Sequence, residues 1–109
     1  MSYLIFTSPK QLVSLPVILQ VSPKNTHCFA GVSFFNTNGD EVIPTAGSVK
    51  IEAKHLTNNR YSDTVNGTID VTTSGEANWG GNVTEVKVSI LTAIVGAETY
   101  QLKVVQNLT

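Results

Sequence analysis

A single cysteine, Cys28, in a chain of 109 residues excludes an internal disulfide, which agrees with a reducing compartment. Charge is also scarce. Asp, Glu, Lys and Arg make up 14% of the residues, against about 25% in typical soluble domains. The net charge is −1 and the basic residues stand singly, without a stripe, so phosphate-driven nucleic-acid binding is not expected. No apolar run reaches the ~18–20 residues of a helical membrane span. The segment Met1–Thr7 lacks the charged n-region and small-residue cleavage site of a signal peptide, and a protein made and kept in a cytoplasm is expected.

Chemistry-bearing patterns are missing too. His27 and His55 are the only histidines, and neither has a metal-ligand spacing such as His-Glu-x-x-His. Cys28 beside His27 adds little, because adjacent strand residues point to opposite faces. Glu52 and Glu85 fall on outward strand positions and Asp40, Asp63 and Asp70 in turns, where solvation accounts for them without an acid–base pair. There is no Gly-x-Ser-x-Gly elbow and no phosphate-cradling glycine loop. Neither an enzyme, a metal site nor a cofactor is expected.

Thr, Ser and Asn take the place of the missing charge. Val and Thr are β-branched and favour strands, while Asn, Ser and Gly favour turns. The plainest strand grammar lies in Val83–Val105, where Val86, Val88 and Ile90 alternate with Lys87 and Ser89, and Tyr100, Leu102 and Val104 with Gln101 and Lys103. This block reads as a hairpin of two half-buried strands, 83–91 and 98–105, joined by residues 92–97. Ser48–Leu56 alternates as cleanly, with Val49, Ile51 and Ala53 against Lys50, Glu52 and Lys54. Thr26–Phe35 is apolar on both faces, as in a central or covered strand. Turns are expected at Ser22–Asn25, at Asn36–Asp40 with its Asn-Gly pair, at Thr57–Asn59 and at Asn66-Gly67. Residues 72–82, rich in Ser, Gly and Asn, read as a loop carrying Trp79. Pro16 interrupts residues 11–21, which suits a sheet edge or a bulge.

The length is near that of one domain, and no composition break divides the chain. The expectation is an all-β, single-domain antiparallel β-sandwich, or jelly-roll-like fold, over residues 1–109, with about eight short strands. Residues 1–25 fit that grammar least and are expected to form an N-terminal arm or edge strands.

Three features are candidates for partner binding. Tyr3, Leu4, Ile5 and Phe6 form a short apolar run near the N-terminus. Trp79 on a glycine-rich loop could anchor an interface or stack on a sugar, or fold back to plug the sandwich. Ile94 and Val95 lie in a connector too apolar for an ordinary exposed turn, so they either cap the core or touch a partner.

Val42-Ile-Pro-Thr-Ala-Gly-Ser-Val49, Tyr61, Asn66-Gly-Thr68, and Ile90-Leu-Thr-Ala-Ile-Val-Gly-Ala97 with Tyr100 together resemble a pattern in small virion proteins of tailed bacteriophages. The resemblance spans roughly Phe34 to Val105 and looks most like the head decoration (cement, or staple) proteins of epsilon15-like podophages. It implies a non-enzymatic β domain that binds the outside of an icosahedral head across capsomer junctions. The implied partner is the major capsid protein, the implied state a homodimer, and the implied location the virion exterior. No direct contact with nucleic acid or membrane is implied. A tail or tail-fibre module is the alternative reading, and a carbohydrate-binding β-sandwich using Trp79 is the second.

Overall fold

Strands form wherever the sequence alternates β-branched with polar residues. The computed structural model, which describes residues 2–23 and 26–108, has no helix among them. Ten strands follow in order: β1 (Ser2–Thr7), β2 (Gln11–Leu12), β3 (Val17–Gln20), β4 (Thr26–Phe35), β5 (Glu41–Val42), β6 (Ala46–His55), β7 (Tyr61–Asp70), β8 (Ala77–Gly81), β9 (Val83–Val95) and β10 (Thr99–Leu108). All pairings are antiparallel, in the order β1-β10-β4-β8-β7-β6-β9-β3, with β2 also beside β10 and β5 beside β4. The order folds back on itself as a nearly closed barrel. One layer is β1–β10–β4–β8 and the other β7–β6–β9–β3, and a single residue pair, Val65 with Asn78, joins them.

The core lies between the layers. Val49, Ile51 and Ala53 of β6 and Val83, Val86 and Val88 of β9 face Cys28 and Ala30 of β4 and Tyr100, Leu102 and Val104 of β10 in one buried cluster. Burying each such aliphatic side chain contributes roughly 1.5–3 kcal/mol. The Tyr100 ring stacks on Phe34 at 6.1 Å, and its hydroxyl donates to the Leu15 carbonyl, so the aromatic body is buried while its polar tip finds an acceptor.

The all-β antiparallel expectation holds, and the differences in its parts have physical causes. Val83–Val105 is not a hairpin. β9 pairs with β6 and β3, β10 pairs with β4 and β1, and the chain crosses between the layers at Gly96–Glu98. Period-2 alternation states which side is buried but not which strand lies alongside. β9 also runs further than expected, to Val95, carried by irregularities that leave Leu91 unopposed between the pairs Val49–Ile90 and Ser48–Thr92. Asn66-Gly67 does not reverse the chain. Lys50 opposes Thr68 and Glu52 opposes Asp63, so residues 64–67 bulge out of one continuous β7, with Asn66 at φ +57° and the Thr64 hydroxyl donating to the Ile51 carbonyl at 2.7 Å. The turn at Asn36–Asp40 forms as expected, closed by Asn36 N–H to the Asp40 carbonyl at 2.9 Å, with Gly39 at φ +87°.

Residues 72–82 are not all loop, because Ala77–Gly81 pairs with Thr26–Ala30 as β8. Pro16 separates β2 from β3, so the first part of the chain supplies short strands at both ends of the strand order rather than one long one. Lys24 and Asn25, which complete the expected turn at 22–25, lie outside the described residues.

Candidate interaction surface

The two outer faces differ in kind. On the β6–β9 side the outward positions are Lys50, Glu52, Lys54, Glu85 and Lys87, and they pair with one another and with β7. Lys50 Nζ is 2.9 Å from Asp63 Oδ1 and 4.0 Å from Glu52 Oε2, and Lys54 Nζ is 3.9 Å from Glu85 Oε2. The Tyr61 hydroxyl donates to Glu85 Oε1 at 2.6 Å, and the ammonium groups of Lys87 and Lys54 lie 5.1 and 5.6 Å from its ring centroid. Burial, then the bond to Glu85, pushes the Tyr61 phenol up to about 12. The Tyr61 hydrogen bond is the largest cause holding Glu85 below the usual carboxylate range. This face is internally matched and suited to water.

The outer face of β1–β10–β4 carries one charge, Lys103, across the outward positions of those strands. Tyr3 and Ile5 are 56% and 53% exposed. Ile5 pairs with Val105 and Val105 with Phe29, which sets three apolar side chains in a row. The Phe29 ring contacts His27 at 4.9 Å between centroids. Beside Phe29, a Cβ placed on Gly31 would meet nothing within 4 Å, so the surface there is open.

β1 is also an open edge, and its hydrogen-bond parity is set at Ser8. The Ser8 amide donates to the Leu102 carbonyl at 2.9 Å, and the Leu102 amide donates to Ser8 Oγ at 3.0 Å. In an antiparallel ladder, bonded and non-bonded pairs alternate. Stepping back from Ser8 along the register, Phe6 and Leu4 therefore face β10, while Thr7, Ile5 and Tyr3 present their N–H and C=O groups to the free edge.

The sequence candidates separate on this frame. Tyr3 and Ile5 stand outside. Leu4 and Phe6 alternate inward, and Phe6 packs against the core. Trp79 is 5% exposed on β8, in register with Cys28, which is itself in register with Gln106. It is part of the core rather than an exposed anchor or stacking platform, because Ala77 and Trp79 take the inward positions of a strand that composition disguised as loop. Gln106, also fully buried, donates through Nε2 to the Ser22 carbonyl at 2.9 Å and to Cys28 Sγ at 3.3 Å. Ile94 and Val95 part company. Ile94 packs against the core, whereas Val95 is 53% exposed and its carbonyl accepts the Thr45 amide at 2.8 Å.

Sequence reading missed two surface features. One is the adjacency of Val105 to Phe29, which lies on the second apolar face read in Thr26–Phe35. Their shared row depends on register, and no local signal marks it. Ile43, 78% exposed, rims an open cleft of about 570 Å³ between the β4–β5 turn region and residues 71–74. Among the described residues no group of three or more His, Cys, Asp or Glu side chains is placed to hold a metal ion.

A family model described as a domain of unknown function (DUF7265) matches residues 1–109. No curated protein matches the sequence. Among solved structures, the tripod (BppUct-A-L) of the bacteriophage Tuc2009 baseplate is similar at 12% identity and a TM-score of 0.50, over 98% of this chain and 88% of that one. A putative α-L-fucosidase from Bacteroides thetaiotaomicron is similar at 11% identity and a TM-score of 0.53, over 86% of this chain but only 20% of the fucosidase. A chain of the disulfide-linked pili of Bacillus endospore appendages aligns at 12% identity and a TM-score of 0.44, over 99% of this chain and 90% of that one. At these identities the likenesses concern the fold alone.

Proposed function

The chain belongs to that family of unknown function, and on this premise we propose that it is a bacteriophage virion structural protein without enzymatic activity. In the finer form of the proposal it decorates the outer surface of the assembled head, contacts the major capsid protein across capsomer junctions, and acts there as a homodimer. The observation that carries the reading is the contrast between the two outer faces. The β6–β9 face satisfies its own charges, while the β1–β10–β4 face leaves Tyr3 and Ile5 more than half exposed, with the partly buried Phe29 and Val105 beside them and Lys103 as the one charge at the outward positions of those strands. Interface cores are poor in Lys, Glu and Asp and rich in such side chains. The resemblance of residues 34–105 to phage decoration proteins supports the same assignment.

The mechanism is binding linkage. A protein that binds only the assembled lattice stabilises it by RT ln(1 + [L]/Kd), about 2.7 kcal/mol per site at a hundredfold excess over Kd. Copies that touch more than one capsid subunit strengthen one another through multivalency. Purified protein is expected to bind undecorated heads and raise their thermal stability, and absence of binding at micromolar concentration removes the proposal. A tail or baseplate module is the second reading, favoured by the fold shared with the baseplate tripod over 98% of the chain. The copy number per virion separates the two: hundreds accord with the shell and a handful with the tail. The carbohydrate-binding reading loses its stacking residue with the burial of Trp79.

A further inference from the structure

We propose that β1 pairs with β1 of a second copy of the chain across a two-fold axis centred on Ile5, joining the two β1–β10–β4–β8 layers into one continuous sheet. The inference rests on the decoration reading only for the use to which a dimer is put; its basis is the geometry of the edge.

The strand order ends at β1 and β3, and the two ends are protected differently. β3 has four residues and lies between Pro16 and Pro23, which is how natural sheets blunt an edge. β1 has six residues, Ser-Tyr-Leu-Ile-Phe-Thr, with no proline, no charge and an unbroken register against β10. It has none of the devices that prevent strand addition, and its two exposed apolar side chains sit directly beside the free backbone groups.

The register selects a second copy as the occupant. Tyr3, Ile5 and Thr7 carry the free N–H and C=O groups. In antiparallel self-pairing centred on Ile5, Tyr3 opposes Thr7 of the second copy, Ile5 opposes Ile5, and Thr7 opposes Tyr3. Every one of these pairs exchanges both its N–H···O bonds, so each free edge group is used. Centring on Phe6 sets Tyr3 against Pro9, which has no N–H. Centring on Leu4 leaves Thr7 with no partner within Ser2–Thr7. On the outer face the row Ile5–Val105–Phe29 of one copy then continues into the same row of the other, giving an uninterrupted apolar band. β1 carries no charge, so self-pairing meets no like-charge repulsion across the axis. The two outer faces become one platform with two equivalent contact areas.

Light scattering and sedimentation on the full chain test this. The mass is expected to rise with concentration from 11.7 kDa to twice that value and no further. Ile5→Pro removes an N–H that β10 does not use, so it is expected to give a folded monomer with unchanged circular dichroism. Ile5→Lys and Ile5→Glu, each placing like charges face to face, are expected to be monomeric alone and to restore the dimer when mixed, with the mixed dimer weakening at high salt. A wild-type chain that stays monomeric up to about 1 mM, growth beyond the dimer through β1 on β3, or a charge-swapped mixture that stays monomeric overturns the inference. Head binding is read separately. An Ile5→Pro monomer that binds heads as tightly as wild type removes the dimer from the decoration mechanism. A dimer that ignores heads supports the pairing and removes decoration.

Discussion

Gly47 and Ile94 fit together only because one of them has no side chain. A Cβ on Gly47 would lie 2.6 Å from Ile94 Cδ1 and 2.8 Å from the Ala93 carbonyl oxygen, and the residue sits at φ +126°, where L side chains are strained. Gly47→Ala therefore carries both a clash and a conformational cost. A loss of about 2 kcal/mol or more is expected, read from the midpoint of urea unfolding at unchanged slope.

The same contact separates Ile94 from its neighbour. Ile94→Ser removes apolar packing from the core and is expected to destabilise by about 2–3 kcal/mol. Val95→Ser alters a side chain that is 53% exposed and is expected to change stability by no more than about 0.5 kcal/mol. Paired thermal melts decide the matter, and equal losses at the two positions would contradict the packing described.

Trp79 is the sole tryptophan, so fluorescence reports on it alone. Its emission is expected to be blue-shifted and poorly quenched by acrylamide in the native protein, and unresponsive to added glycans. Trp79→Ala is expected to cost about 3–5 kcal/mol by opening a cavity beside Cys28. An emission maximum typical of solvated indole would place the side chain outside the core.

How far the sequence shows these features depends on the kind of information each requires. Val49, Ile51 and Ala53, like Val86 and Val88, are fully buried where period 2 places them, because alternation directly encodes which side meets the core. Pairing partners are another matter. Nothing in the spacing of Val83–Val105 indicates that its halves belong to opposite layers. The connector is apolar because Ile94 and Ala97 pack on the core as the chain crosses over it. β8 was hidden because only Ala77 and Trp79 mark its inward face amid Ser, Gly and Asn. The apolar run Tyr3–Phe6 is plain in the sequence. Which of its backbone groups are free is not, since that follows from one long-range bond between Ser8 and Leu102.

Two tyrosines set the alkaline limit. Burial is the first cause raising both Tyr61 and Tyr100, and each is pushed up to about 12 from an ordinary value of 10.0. A folded-state value above the unfolded one means that the fold favours the neutral phenol. This contribution is fully present below pH 10.0 and is lost as the pH rises through about 12. Tyrosinate absorbance is expected to show these two groups ionising together with unfolding. Tyr61→Phe is expected to move the Glu85 carboxyl back up toward its ordinary range, because the lost hydrogen bond is the main cause of its depression. Glu85 supports the fold above its unfolded value of 4.5 and loses that effect as the pH falls through its folded value. The variant therefore sheds part of the wild type's acid sensitivity, which NMR titration of the Glu85 side chain can follow.

The pairing of β1 with β10, Ser2 opposite Leu108, has a consequence for biosynthesis. β1 leaves the ribosome well before β10, its partner in the ladder. β1 cannot enter its ladder until β10 has been made, and closing so long a loop is slow. Throughout that interval a charge-free strand is exposed on both edges. Nascent chains translated side by side on one messenger then present β1 segments to each other at high local concentration, before any finished barrel exists. Chaperone demand and inclusion-body formation are expected to track substitutions in β1 more closely than substitutions of equal thermodynamic cost in β6, whose partners β7 and β9 follow it closely in the chain.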